Sequence, residues 1–63
     1  MNHRERYVLD YANAKLTRIY SNDLMQAKFK AESIAKISRA IDLYEKGFFT
    51  IDETTAIIAA VPN

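Results

Sequence analysis

The chain has 63 residues and no cysteine, and these two facts constrain its fold more than any motif does. A domain of this length buries only about 60% of the surface that its unfolded chain exposes. The gain from burial and the entropy lost on ordering therefore nearly cancel. Without cysteine, neither a disulfide nor a thiolate metal site adds stability. We expect a single domain, residues 1–63, stabilised by well-packed helices or by self-association.

Apolar residues at helical spacing predict three helices. With one glycine and one proline in the whole chain, breaks are few and the helices should be long. The first is predicted over about residues 4–20, where Val8, Ala12, Leu16 and Ile19 form a stripe. The others are predicted over about residues 23–46 and 51–60. The predicted fold class is all-α, a helical hairpin extended to a three-helix module that oligomerises. The stripe of the second helix is Leu24, Ala27, Ala31, Ile34, Ser38 and Ile41, and Ile37 and Tyr44 add to the same side.

Polar and glycine residues mark the predicted helix ends. Ser21-Asn22-Asp23 offers a break, since each of these residues can cap a new helix, although one continuous helix remains an alternative. Gly47 fits the position after a helix, where the left-handed backbone favours glycine. Thr50 and Glu53 fit a capping box, with Thr50 as N-cap and Glu53 three residues later.

The residues that carry catalysis in other proteins are isolated in this sequence. Asp52 and Glu53 are adjacent, so on a helix they point about 100° apart, and helix capping explains both. His3 lies near the terminus without an acidic residue at helical spacing. A single glycine excludes a glycine-rich phosphate loop. We predict no catalytic, cofactor or metal site, and therefore no enzyme.

The charge balance favours a protein partner over nucleic acid. The formal net charge is only +1, which gives little electrostatic steering towards DNA. Residues 48–63 contain two acids and no base. No window approaches the 18 or so apolar residues of a membrane span, and the N-terminus lacks the features of a signal peptide. We expect a cytoplasmic protein without nucleic-acid or membrane partners.

The second helix carries the candidate partner surface. Phe29 lies off the apolar stripe, between Lys28 and Lys30, and aromatic residues are enriched in interface hot spots. Alternatively, the aromatic residues fill the core. Lys28 and Arg39 fall nearly on one side of this helix, with Lys36 about 80° away. This edge suits phosphate contacts, or, with Glu32 interleaved, a solvated face. The candidate partner-binding residues are Lys28, Phe29, Lys30, Lys36 and Arg39.

Residues 40–61 resemble two known helical patterns. The pattern comprises a leucine-containing helix, a glycine turn, a hydrophobic-threonine pair and an acidic helix start. Its residues are Ala40-Ile41-Asp42-Leu43-Tyr44-Glu45-Lys46-Gly47-Phe48-Phe49-Thr50-Ile51-Asp52-Glu53, followed by Ile58 and Val61. It resembles the short helical hairpin called the SHOCT domain. It also resembles the opening of bacterial helix-turn-helix antitoxins and regulators, which implies DNA binding through a following recognition helix. Here Val61-Pro62-Asn63 stands where that helix would begin.

These observations lead to two predictions of function. The first is a non-enzymatic helical protein–protein interaction module that binds and modulates a host or partner protein, as a homo-oligomer. In style the chain resembles small proteins of bacteria, bacteriophages and mobile elements. The alternative is a small DNA-binding transcriptional regulator that uses the basic side of the first two helices.

Overall fold

The computed structural model describes residues 3–62 and contains three α-helices, α1 (His3–Ser21), α2 (Ala27–Glu45) and α3 (Ile51–Ala60). Each helix packs against the other two, and residues 3–62 contain no strand. The predicted all-α fold of three helices is therefore confirmed. The bounds of α1 and α3 agree with the prediction to within one residue. None of the helices in the described range is both long and apolar enough to cross a membrane.

The predicted start of the second helix at residue 23 is wrong, because Asn22 forms a turn there. The side-chain Oδ1 of Asn22 accepts a hydrogen bond from the Leu24 N–H at 3.0 Å, and its carbonyl accepts one from the Met25 N–H at 3.4 Å. An asparagine that bonds the backbone two residues on offers the chain an alternative to a helix. The predicted break is confirmed, and α2 begins only at Ala27.

The buried face of α2 also differs from the predicted stripe. Ile37 is buried, as the sequence predicts, but Ser33 and Ala40 are buried beside it, whereas Leu24 is 96% exposed. At about 100° per residue, the centre of the buried face lies roughly 120° around the helix axis from the centre of the stripe Leu24 to Ile41. Ile34 and Ile41 pack only partly against the core. The other members of the predicted stripe are exposed: Leu24, Ala27, Ala31 and Ser38.

The rotation follows from the position of α2 between two neighbours. A periodic apolar stripe indicates the direction of burial against a single surface, but α2 contacts both α1 and α3. Ile37 is fully buried between them, and the small side chains of Ser33 and Ala40 allow close approach. The main core cluster comprises Ala12, Ile19, Ile37, Ala40, Ile58 and Val61.

The turn between α2 and α3 is determined by local hydrogen bonds. Gly47 has a φ of 86°, and the Phe48 N–H donates to the Leu43 carbonyl at 2.9 Å, as in a Schellman motif. Thr50 Oγ1 then accepts from the Glu53 N–H at 3.1 Å, while Glu53 Oε1 accepts from the Thr50 N–H at 3.1 Å. Both predicted caps, at Gly47 and at Thr50 with Glu53, are confirmed.

Candidate docking surface

One flank of α2 brings together three of the five predicted partner residues. The flank covers an arc of about 80° around the helix axis, since successive residues are about 100° apart. It contains Phe29, Lys36 and Arg39, together with Glu32 and Leu43. Phe29 is 49% exposed, and Lys36 and Arg39 are also exposed. This arc lies next to the buried face, so its side chains border the core.

The two remaining predicted residues are placed differently. Lys30 lies on the core-facing side of α2, and its Nζ donates to the Tyr20 carbonyl at 3.0 Å, in the last turn of α1. It therefore stabilises the end of α1 and takes no part in the flank. Lys28 is exposed and lies about 20° from Arg39 around the helix, at the edge of the flank.

A groove between α2 and α3 runs beside Lys36 and Arg39. We call it the α2–α3 groove, and its volume is about 340 Å³. Apolar side chains line it, and the two cations are its charged residues. Its lining residues are Lys36, Arg39, Ala40, Leu43, Phe49, Ile57, Ala60 and Val61.

A second apolar surface continues from the groove towards the start of α2. We call it the Phe29 patch, and it is formed by Leu24, Met25, Phe29 and Pro62 around a depression that Lys36 also lines. Because Lys36 borders both, and because Pro62 directly follows Val61 of the groove, the two surfaces are continuous. An apolar surface that is rimmed by charged residues is typical of an interaction site.

The cations of the groove lack an anionic partner within the described part of the chain. Ion pairs in residues 3–62 join Arg4 to Asp52, Arg6 to Asp10 and Lys46 to Asp42. Glu32 is four residues before Lys36 but forms no ion pair with it in this range. Lys36 and Arg39 are therefore available to an external anion.

The aromatic residues lie at the periphery rather than in the centre of the core. All seven fall within residues 3–62, and in that range none is fully buried. Tyr7, Tyr20 and Phe48 are 56%, 63% and 70% exposed. Tyr7 and Tyr11 lie close together, with their ring centroids 6.1 Å apart. The alternative in which aromatic residues fill the core is wrong, since the largest fully buried side chains are Ile19, Ile37 and Ile58.

Lys15 is a buried charged residue that is not among the predicted functional residues. This residue is only 6% exposed, and its Nζ donates to the Ala59 carbonyl at 2.9 Å. The sequence position of Lys15 indicates its burial, because Lys15 continues the 3–4 spacing of Val8, Ala12 and Ile19, all of which are buried. A lysine within an apolar stripe buries its stem and brings its ammonium group to a polar partner.

The remaining candidate groups have structural roles or stand alone. Asp52 binds Arg4 at 3.2 Å, and Glu53 belongs to the capping box. His3 is exposed. Within residues 3–62, no three histidine or acidic side chains lie close enough to hold a metal ion.

Comparisons of this chain with known proteins identify no relative. The sequence matches no protein-family model, and neither a curated protein nor a solved structure shows significant similarity to it.

Proposed function

We propose that this chain is a non-enzymatic interaction module that docks on a partner protein and modulates it. The observation that carries the proposal is the Phe29 patch, where Leu24 is 96% exposed and Phe29 is 49% exposed. Full burial of the Leu24 side chain would contribute about 1.5–3 kcal/mol, and burial of the exposed half of Phe29 would contribute roughly half as much. Two adjacent apolar side chains in a depression therefore form an anchor of the kind that dominates binding energy at interfaces.

Charged residues around this anchor suit a protein partner. Lys36 and Arg39 lie at the rim of the adjoining groove, where charges mainly raise the association rate and select the partner. Absence of cysteine is compatible with a reducing compartment, and we propose the cytoplasm as the location. Self-association and a bacterial or phage origin remain part of the proposal.

The alternative, a DNA-binding regulator, requires a basic face on the first two helices. The bases of α1 do not form one, since Arg4 and Arg6 are in ion pairs and Lys15 is buried against α3. Arg18 is the remaining base of α1. The observed placement of these charges therefore supports the interaction module rather than the regulator.

A capture experiment tests the proposal. The tagged chain is incubated with a nuclease-treated bacterial lysate, and we expect a stoichiometric protein partner to be recovered. Phe29→Ala should abolish recovery while its helical circular dichroism spectrum is unchanged. Phe48→Ala is the matched control, because Phe48 is 70% exposed and lies beyond the opposite end of α2; it should retain the partner.

Duplex DNA binding separates the two functions. At physiological salt we expect no affinity tighter than about 10 µM, within the range of non-specific binding. Fluorescence anisotropy with a labelled duplex measures it. Tight binding that falls steeply with salt, or the loss of every captured protein after nuclease treatment, would establish the regulator instead.

A further inference from the structure

Resting on the proposed function, we infer that the partner segment is an acidic amphipathic helix that lies along α2, in the α2–α3 groove and over the Phe29 patch. The inference identifies the chemical class of the partner. Three observations support it: the shape and length of the surface, the unpaired cations at its rim, and the engagement of the two acidic residues of α3 in other contacts.

The shape and length of the surface suit a helix. The groove is a concave apolar channel between two helices, and an amphipathic helix recognises such a channel through residues spaced three and four apart. Leu43 and Phe29 mark the two ends of the surface and lie fourteen positions apart on α2. At 1.5 Å per residue they are about 21 Å apart, the length of a four-turn helix.

The positive charges at the rim of the groove favour a partner helix that carries negative charge. Lys36 and Arg39 are three positions apart, exposed, and border the same groove. Neither pairs with an acid within residues 3–62. Carboxylates beside the apolar stripe of the partner would pair with them, whereas lysines there would be repelled. Glu32, at the Phe29 end, disfavours acids at that end and so orients the partner helix.

Two other occupants suit the surface less well. A lipid bilayer presents a broad surface that does not enter a concave channel. A second copy of this chain offers α3 as its acidic segment, but there Asp52 pairs with Arg4 and Glu53 is held in the capping box. A separate acidic helix is the occupant that the charges favour.

Two synthetic peptides of about 18 residues, long enough for five helical turns, test the inference against the full chain. Both carry the same leucine stripe, flanked by glutamates in one and by lysines in the other. By titration calorimetry we expect the glutamate peptide to bind at least about tenfold more tightly, which is a difference of about 1.4 kcal/mol. Lys36→Glu combined with Arg39→Glu should reverse the preference.

The control variant combines Arg6→Glu with Arg18→Glu, which changes the net charge equally. Both positions are exposed on α1, which contributes no residue to the groove, and we expect the peptide preference to stay within about twofold. Equal binding of the two peptides, or an equal effect of the control variant, would overturn the inference. So would absence of peptide binding together with pelleting on anionic phosphatidylserine vesicles that requires Lys36 and Arg39.

These outcomes separate the inference from the proposed function. If neither peptide binds but a protein partner is still captured in a Phe29-dependent manner, the acidic-helix inference is wrong and the interaction module stands. If the Phe29-dependent capture also fails, the proposed function itself is wrong.

Discussion

At the residue scale, Lys15 joins α1 to the end of α3. The last four carbonyls of a helix lack partners within it, and α3 has no base in its own last turn. Lys15 supplies one from α1, with its Nζ 2.9 Å from the Ala59 carbonyl. A positive charge at a helix C-terminus also interacts favourably with the helix dipole. One buried side chain thus provides both a hydrogen bond and a favourable charge.

Lys15→Met should therefore destabilise the chain. Methionine retains most of the apolar stem but leaves the Ala59 carbonyl without its donor, and we expect a loss of about 1–2 kcal/mol. Urea unfolding followed by circular dichroism measures it. Lys46→Met is the control, since Lys46 pairs with Asp42 at a site where both side chains are more than half exposed. Its loss should be below about 0.5 kcal/mol, and equal losses would show that Lys15 has no special role.

At the scale of the elements, the turn after α2 determines where α3 lies. Within a few residues the chain ends one helix with Gly47 at φ 86° and begins the next with the capping box of Thr50 and Glu53. Phe49, between these two caps, lines the α2–α3 groove. The two caps therefore also position Phe49, which forms part of the wall of the candidate docking surface.

Gly47→Ala tests this turn. A Cβ at Gly47 would meet no atom within 4 Å, so the cost is the backbone conformation alone, and we expect destabilisation by about 1 kcal/mol. Gly47→Asn should cost less, because asparagine tolerates the left-handed region better. Thermal unfolding distinguishes them. A rise in melting temperature for Gly47→Ala would instead indicate one continuous helix, since alanine is the better helix former.

At the scale of the whole molecule, the core is small. Its fully buried apolar side chains are no larger than isoleucine, and domains of this length have little stability in reserve. Association of two chains would bury further apolar surface. The sequence predicts that pairing uses a seam on the second helix formed by Ala27, Ala31, Ile34 and Ile41. Ala27 and Ala31 are exposed, whereas Ile34 and Ile41 are partly packed in their own core.

Self-association stays a prediction, and sedimentation at micromolar concentration tests it. We expect more than one chain mass and a melting temperature that rises with concentration, because association stabilises the folded state by mass action. Ala31→Glu should abolish the association by placing a charge on the exposed seam. Ala14→Glu, a matched change at an exposed position of α1, should not. A single chain mass with concentration-independent melting would contradict the prediction.

The sequence by itself determined the helix ends that depend on local bonds. Gly47 and the pair Thr50 and Glu53 act on backbone groups within a few positions, so residue type and spacing are sufficient to recognise them. Asn22 also acts locally, but the sequence does not determine the start of α2. Ser21, Asn22 and Asp23 are all good caps, and only the structure shows that Asn22 bonds the Leu24 N–H. Sequence spacing also identified the exposed Phe29 and the bases near it.

Only the tertiary structure decided which way α2 faces. Periodicity describes one apolar direction, but α2 packs against two helices, so its buried side lies between them, at Ser33, Ile37 and Ala40. That rotation places Lys36 and Arg39 beside a groove whose other wall is α3. The contact of Lys15 with Ala59 likewise spans 44 positions. Such features depend on the distance between elements in space, which spacing along the chain does not encode.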